Sequence, residues 1–251
     1  MWRAWRDFPM RNSYTALAEA YDALMYDVDA DAWAAYLDML LGGAPKRMFE
    51  AACGTGNITL GLLEKGYDVT ACDISEEMVE RAARKAAEKQ LGGCFMCMDM
   101  TQMFAFEMDA VVAACDGVNY LAEDGEAEAF FQAAYRSLKS GGRLLFDVSS
   151  EYKLREIVGN EMFYDDGDDV TVFWQNETVG NRVTMSLTLF FREGALYRRG
   201  DEEHVQRIYT EQELRKMLAD AGFEKVLVYG FGGRERPGEK EERLQFVAVK
   251  G

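Results

Sequence analysis

The sequence lacks long hydrophobic runs, since no stretch reaches the roughly 18 consecutive apolar residues that a membrane-spanning helix needs. The N-terminus, which begins Met1-Trp2-Arg3, also lacks the apolar core of a secretory signal. From these two absences we expect a cytoplasmic protein that has no membrane partner.

Positive charge is also scarce. The chain has 28 basic residues against 44 acidic ones, which gives a formal net charge of −16. Proteins whose main partner is a nucleic acid usually present a basic face, because neutralising phosphates releases counterions. The acidic excess therefore argues against nucleic acid as a partner and favours a small neutral or cationic molecule.

Histidine occurs once and cysteine five times, with all the cysteines between Cys53 and Cys115. An odd, clustered set does not match the disulfide framework of a secreted protein. Cys94 and Cys97 form one Cys-x-x-Cys pair, but no second pair and no histidine stands near them. We therefore predict a strand at this pair and no metal site.

Predicted strands and helices alternate through the first 150 residues. The predicted strands cover 47–52, 67–72, 94–98, 108–115 and 143–148. The predicted helices between them cover 57–65, 78–90 and 126–138, and a turn at 140–142 precedes the fifth strand. Because the central strands are apolar along their whole length, helices must cover both faces of the sheet. This alternation is typical of an α/β fold with a mostly parallel sheet.

The hydrophobic period changes after about residue 160. Apolar residues at 183, 185, 187 and 189 alternate with mostly polar ones, as in a half-buried antiparallel strand, and 170–175 and 204–209 look similar. A capping box at Thr210–Glu213 then opens a helix, and strands at 223–229 and 244–249 follow.

We expect a single domain in three parts. Residues 1–44 form an N-terminal helical cap, because apolar residues recur there at helical spacing. Residues 45–159 and 210–251 form the α/β core, and residues 160–209 form a small antiparallel β insertion.

A glycine turn stands between the first predicted strand and its helix, at Cys53-Gly54-Thr55-Gly56. Glycines at such a junction let the backbone approach a ligand, and the helix N-terminus offers unpaired N–H groups. Asp73 ends the next strand, where a carboxylate can accept both hydroxyls of a ribose. A nicotinamide-dependent oxidoreductase would use the same features, but its third glycine would fall at Thr59.

Four segments together resemble the class I S-adenosylmethionine-dependent methyltransferases. They are Glu50–Gly56, with Ala52 where that family more often has glycine, then Val69–Met78, Cys97–Met100 and Leu138–Leu144. The resemblance implies a Rossmann-like, mostly parallel seven-stranded sheet with helices on both faces. It also implies S-adenosylmethionine as the cofactor.

The resemblance assigns the cofactor's contacts residue by residue. Glu50 and the backbone of Ala52, Cys53, Gly54 and Gly56 would face its methionine part, together with the carbonyl of Cys115. Asp73 would bind the ribose. The adenine would meet Ile74, Met78, Asp99 and Met100.

More narrowly, Tyr14, Tyr21 and Trp33 resemble the subgroup that includes glycine N-methyltransferase and amino-sugar N-methyltransferases. In that subgroup the N-terminal helices and the insertion shape the acceptor site. Tyr21 and Trp33 would then line the cofactor, and Tyr14 the acceptor side, although the spacing of these aromatics also suits a helical core. The insertion would cover the site or form a homodimer contact.

His204 is the candidate base, because a histidine can take a proton near neutral pH. Asn119, Tyr120 and Arg207 are the candidate walls of an acceptor pocket. We therefore predict methyl transfer to a nitrogen or oxygen of a small molecule. The alternatives are the oxidoreductase, a cofactor-binding protein that acts through a partner without turnover, and an enzyme that modifies a translation component.

Overall fold

The protein is described by a computed structural model that covers residues 15–43 and 46–251. Its α-helices are α1 (Thr15–Leu24), α2 (Ala30–Leu41), α3 (Asn57–Glu64), α4 (Glu76–Glu88), α5 (Glu126–Ser137) and α6 (Glu211–Ala221). The first five strands are β1 (Arg47–Ala51), β2 (Asp68–Asp73), β3 (Cys94–Cys97), β4 (Met108–Ala113) and β5 (Leu138–Ser149). The others are β6 (Met162–Asp166), β7 (Val170–Val179), β8 (Arg182–Glu193), β9 (Leu196–Arg207), β10 (Phe223–Gly230) and β11 (Arg243–Lys250).

Seven strands form the main sheet, in the order β10-β11-β5-β4-β1-β2-β3. The pairs within β1 to β5 are parallel, whereas β11 runs antiparallel between β5 and β10. The predicted fold class, a Rossmann-like and mostly parallel seven-stranded sheet, is confirmed. In such a sheet, ligands bind beyond the carboxyl ends of the strands.

Helices bury both faces of this sheet. Successive residues of a strand point to opposite faces, so Phe49 packs with α5 and α6 while Met48 packs with α2 and α3. Neither side chain is exposed to solvent. Burial on both sides explains why the central strands are apolar along their whole length.

The turn predicted at 140–142 lies inside a strand. β5 begins at Leu138, opposite Met108, but the next pair joins Arg143 to Ala110, so the intervening residues bulge out of the ladder. Gly141 lies at φ +74° within this bulge, in the left-handed region that glycine adopts without strain.

The predicted insertion is a separate four-stranded antiparallel sheet in the order β6-β7-β8-β9. β6 was not predicted, and β9 begins eight residues earlier than predicted, because its first half is exposed and carries no buried apolar face. A short π-helix at Lys153–Val158, also unpredicted, leads into this sheet. Helix α1 packs on its apolar face, where Ala20 meets Val172 and Leu189.

None of the helices in the described ranges is both long enough and apolar enough to cross a membrane.

Candidate active site

A cavity of about 400 Å³ opens at the carboxyl ends of β1 to β4, beneath α1 and β9. We call it the first cavity. The described residues that line it are Leu17, Tyr21, Ala52, Gly54, Asp73, Ile74, Met78, Asp99, Met100, Cys115, Gly117, Tyr120, Leu121, Ala122, Glu123, Glu126, Glu203, His204 and Val205. Most of the predicted cofactor residues therefore meet in one place.

The glycine turn holds its shape through left-handed backbone. Ala52, Gly54 and Gly56 have φ angles of +53°, +55° and +78°. Ala52 is the strained residue of the three, because the β-carbon of an alanine raises the conformational free energy of left-handed backbone. Gly56 is not among the described residues of the cavity wall. A β-carbon there would lie 2.8 Å from that of Ala82, so this glycine allows α3 to approach α4.

Asp73 is held by the backbone around it. Its Oδ2 accepts from the Gly54 N–H at 2.9 Å, and its Oδ1 accepts from the Ser75 N–H at 3.0 Å. Burial raises the pKa of this carboxyl, while the backbone donors act in the opposite direction. The carboxylate is thus fixed in orientation at the cavity wall.

Asp99 follows β3 and also lines the first cavity. Its Oδ1 accepts both the backbone N–H and the hydroxyl of Thr101, each at 2.8 Å. Ile74 is largely exposed, whereas Met78 is buried. The four residues expected at an adenine, which also include Met100, do line the first cavity.

Glu50 is fully buried at the end of β1 and lines a small cavity of about 60 Å³ with Cys53 and Cys115. Its Oε2 has no hydrogen-bond partner among the described residues. Burial raises the pKa of Glu50 to about 7. A buried carboxylate in this state is stabilised by any cation that enters the cavity.

His204 lies on β9 and forms a buried pair with Glu202. Its Nε2 lies 3.0 Å from Oε2 of Glu202, whose Oε1 accepts from the backbone N–H of Leu17. The ring also packs edge-on against Tyr120, with 6.1 Å between ring centroids. The residue alternation of a strand places Glu202, His204 and Gln206 on one buried face. This alternation could have identified Glu202, which the sequence analysis missed.

The comparisons with known proteins agree with this geometry. A family model described as a methyltransferase domain matches residues 49–142. The chain is 34% identical to YqeM of Bacillus subtilis, a candidate methyltransferase, over 94% of this chain and 97% of that protein. It is 24% identical to a glycine/sarcosine N-methyltransferase of Parasynechococcus marenigrum, over 86% of this chain and 75% of that one. A crystal structure of an S-adenosylmethionine-dependent methyltransferase from Clostridium acetobutylicum superposes with a TM-score of 0.86 at 30% identity, over 96% of this chain and 100% of that one.

The chain belongs to the class I S-adenosylmethionine-dependent methyltransferases. Its cofactor is S-adenosylmethionine, and the nicotinamide-dependent oxidoreductase considered from the glycine turn is rejected. The residues present fit this cofactor. The buried Glu50 oxygen suits an ammonium group, and the first cavity offers a fixed carboxylate at Asp73 beside apolar side chains.

A second cavity of about 790 Å³ adjoins the first in this methyltransferase. The two share Leu17, Tyr21, Cys115 and Tyr120. The other described residues of the second cavity are Leu24, Met25, Asp27, Val28, Asp29, Ala32, Trp33, Tyr36, Asp116, Phe231, Gly232 and Arg243. Trp33, expected at the cofactor, lies on this second wall instead, with its ring centroid 4.3 Å from that of Phe231.

Two of the predicted acceptor residues fasten the second sheet to the methyltransferase core. Asn119 is fully buried, and its side chain bonds to the backbone of Ser149 and to the carbonyl of Arg207 at 2.9 Å. Arg207 bonds Asp124 at 2.7 Å and lies over the Tyr209 ring. Neither is among the described residues that line the two cavities, whereas Tyr120 lines both. Tyr14 lies outside the described residues.

Helix α1 is tied to the glycine turn by a polar network that the sequence analysis missed. Asp22 accepts from Thr55 at 2.6 Å and from Asn57 at 2.9 Å. Lys85, on α4, donates to Asp22 at 2.9 Å. Together these bonds lower the pKa of Asp22 although burial opposes them. The network fixes the neighbouring Tyr21 over Gly54 at the boundary between the cavities.

Proposed function

We propose that this methyltransferase acts on a nitrogen or oxygen of a small molecule and that His204, oriented by Glu202, takes the acceptor's proton. One observation carries the proposal. His204, whose ring is paired with the buried Glu202, lines the same cavity as Asp73 and Asp99. A histidine oriented by a carboxylate is a recurring arrangement for general base catalysis.

The proposed cofactor contacts follow the cavity wall. Asp73 would accept the ribose hydroxyls, and Asp99 would accept the adenine amino group between Ile74 and Met100. Glu50 and the Cys115 carbonyl would hold the ammonium group from the small cavity. When bound, S-adenosylmethionine supplies a methyl group that is electrophilic because it is carried on a positively charged sulfur.

The chain's own residues would perform the remaining work. Glu202 would orient the His204 ring and stabilise the imidazolium that forms when the ring takes an N–H or O–H proton from the acceptor. Burial of both side chains excludes water from the pair. Tyr21 and Tyr120 would position the acceptor, because they line both cavities.

A small acceptor is supported by the size of the cavities and by the chain's acidity, which disfavours nucleic acid. The similarity to a glycine/sarcosine N-methyltransferase supports it further. Homodimer formation through the second sheet, a cytoplasmic location and the single-domain arrangement stay predictions.

The test is a screen of fractionated metabolites for S-adenosylhomocysteine release, followed by the His204→Asn variant on the acceptor found. We expect turnover by the parent protein and a large loss in the variant. The matched control is Asp201→Asn, which alters an exposed carboxylate on β9 that is not among the described lining residues of either cavity. Cofactor binding without turnover of any fraction would instead favour a protein that acts through a partner.

A further inference from the structure

The second cavity has a wall of aromatic rings. Phe231 is tilted at 45° to Trp33, and it meets the edge of Tyr36 with 5.2 Å between ring centroids. The hydroxyl of Tyr36 donates to the carbonyl of Gly233 at 2.9 Å, which holds this ring in place. The faces of aromatic rings carry partial negative charge and attract cations, and the guanidinium of Arg243 already lies 5.5 Å from the Trp33 centroid and 5.9 Å from the Phe231 centroid.

The cavity's basic side chain is already neutralised. Among the described lining residues only Arg243 is basic. Its guanidinium donates to Asp116 at 2.9 Å and also to Asp147, which is fully buried behind it. Burial lowers the pKa of Arg243, but the two carboxylates outweigh this effect and raise it. Arg243 therefore stays charged and is bound to carboxylates, so it offers little attraction to an anionic ligand.

Further carboxylates stand at the mouth of the cavity. Asp27 and Asp29 are exposed on the segment between α1 and α2 and line this opening. Asp116 lies deeper, where its Oδ2 accepts from Gln206 of β9 at 2.7 Å. The three lining aspartates and the buried Asp147 outnumber the one arginine, which gives the cavity a negative field, and its low-dielectric walls strengthen that field.

We infer that the second cavity binds the acceptor and that the acceptor is an organic cation, a protonated amine carried on an apolar or aromatic body. The inference rests on the proposed function, because Tyr21, Tyr120 and Cys115 join this cavity to the wall that holds His204. The rings would enclose the apolar body while the carboxylates stabilise the ammonium group. The same fit disfavours acceptors whose binding end is a carboxylate or phosphate.

The experiment compares three probes of one skeleton: phenethylamine, 2-phenylethanol and 3-phenylpropanoate. Each is titrated calorimetrically into the full chain saturated with S-adenosylhomocysteine, so that the probes do not occupy the cofactor site. We expect phenethylamine to bind about 10-fold tighter than the alcohol, the factor that corresponds to a buried cation–π contact with a nearby carboxylate. The anionic probe should bind weakest.

Two variants locate the preference. Asp116→Asn and Phe231→Leu should each bring the amine-to-alcohol ratio toward one, whereas Phe104→Leu, which alters an exposed ring elsewhere, should leave it unchanged. Asp27→Asn removes an exposed carboxylate with little risk to folding and should lower the ratio by a smaller factor. Equal binding of amine and alcohol, tighter binding of the anion, or binding of none of the probes overturns the inference. Failure to bind S-adenosylhomocysteine would overturn the proposed function instead.

Discussion

The two sheets contribute to the first cavity in different ways. The seven-stranded sheet supplies the turns at the carboxyl ends of its strands, where backbone groups and single carboxylates such as Asp73 and Asp99 face the cavity. The four-stranded sheet supplies side chains from the second half of one strand, where Glu203, His204 and Val205 of β9 line the cavity. A cofactor common to a whole family can be held by local turns, whereas an acceptor site can be changed by altering one strand face.

The docking of β9 is what turns two sheets into one site. Asn119 binds the backbone of Arg207, and Gln206 binds Asp116 beside the second cavity. Each bond links β9 to the segment that follows β4. The second sheet therefore reaches the chemistry through a few polar contacts around a buried face, while the main sheet is held by a continuous apolar core on both sides.

The sharpest test of this division is His204→Asn. If the second sheet supplies the base, turnover should fall by ~10²–10⁴-fold, because the asparagine keeps polarity but cannot take the proton. The affinity for S-adenosylmethionine should be unchanged. Steady-state kinetics and calorimetric titration measure the two quantities separately. If the variant keeps its rate per folded molecule, His204 is not the base. The second sheet would then contribute only by positioning the acceptor.

On the other side of the comparison, Asp73→Asn should weaken cofactor binding by ~1.5–3 kcal/mol, the range for hydrogen bonds to a charged group. The asparagine keeps one acceptor for the backbone N–H of Gly54 or Ser75, so the turn should persist. Asp68→Asn, at the exposed start of the same strand, is the control. Equal affinities of parent and Asp73 variant in calorimetry would remove the ribose assignment.

Glu50→Gln tests the buried end of the main sheet through pH. The pKa of Glu50 is raised from 4.5 to about 7 in the folded protein, so the folded state holds the proton more tightly than the unfolded state. Stability from this group is therefore present at low pH and is lost as the pH rises from ~4.5 to ~7. The variant should make the free energy of unfolding depend less on pH between ~4.5 and ~7. At pH 8 it should raise the free energy of unfolding of the cofactor-free protein by ~1–3 kcal/mol.

The same Glu50 variant should bind the cofactor more weakly at pH 8, because it lacks the negative charge that faces the ammonium group. Urea unfolding across pH 5 to 8 and titration with S-adenosylmethionine at pH 8 check the two halves. If the variant is more stable than the parent protein but binds the cofactor more weakly, Glu50 serves cofactor binding. If the variant loses both stability and affinity, Glu50 has a structural role.

A further test of the main sheet concerns the contact between the turns that follow β1 and β4. A β-carbon on Gly117 would lie 3.0 Å from the β-carbon of Ala52, so Gly117→Ala should cost ~1–3 kcal/mol of stability. In the Ala52→Gly background that cost should shrink, since the opposing methyl group is gone. Thermal unfolding of the parent protein, the two single variants and the double variant gives the coupling free energy between positions 52 and 117. Additive effects would show that the two main-sheet turns do not touch.

Local sequence was a good guide to the main sheet. The glycine turn follows β1, Asp73 is the last residue of β2 and Asp99 lies just after β3, so apolar period and turn chemistry place them without knowledge of the rest of the chain. The second sheet was harder to predict from the sequence. The first half of β9 carries exposed charges, and no buried face distinguishes it from a loop.

Some of the candidate site depends on residues that lie far apart in the chain. Asp116, Asp147 and Arg243 come together because β11 runs antiparallel beside β5, which brings the start of β11 to the carboxyl ends of the parallel strands. Phe231 reaches Trp33 for the same reason, since it follows β10. The spacing of these residues along the sequence does not predict these contacts.

The sequence alone determined the fold class, the family and the identity of the cofactor, because strand period, turn glycines and strand-end carboxylates act over a few neighbouring residues. The tertiary structure decided that Glu202 pairs with His204, that Asn119 connects β9 to the core by hydrogen bonds, and that the second cavity is negatively charged. Those features depend on how two sheets and two helices pack against each other. Contacts of that kind are selected by the shape of the whole core and not by any single segment.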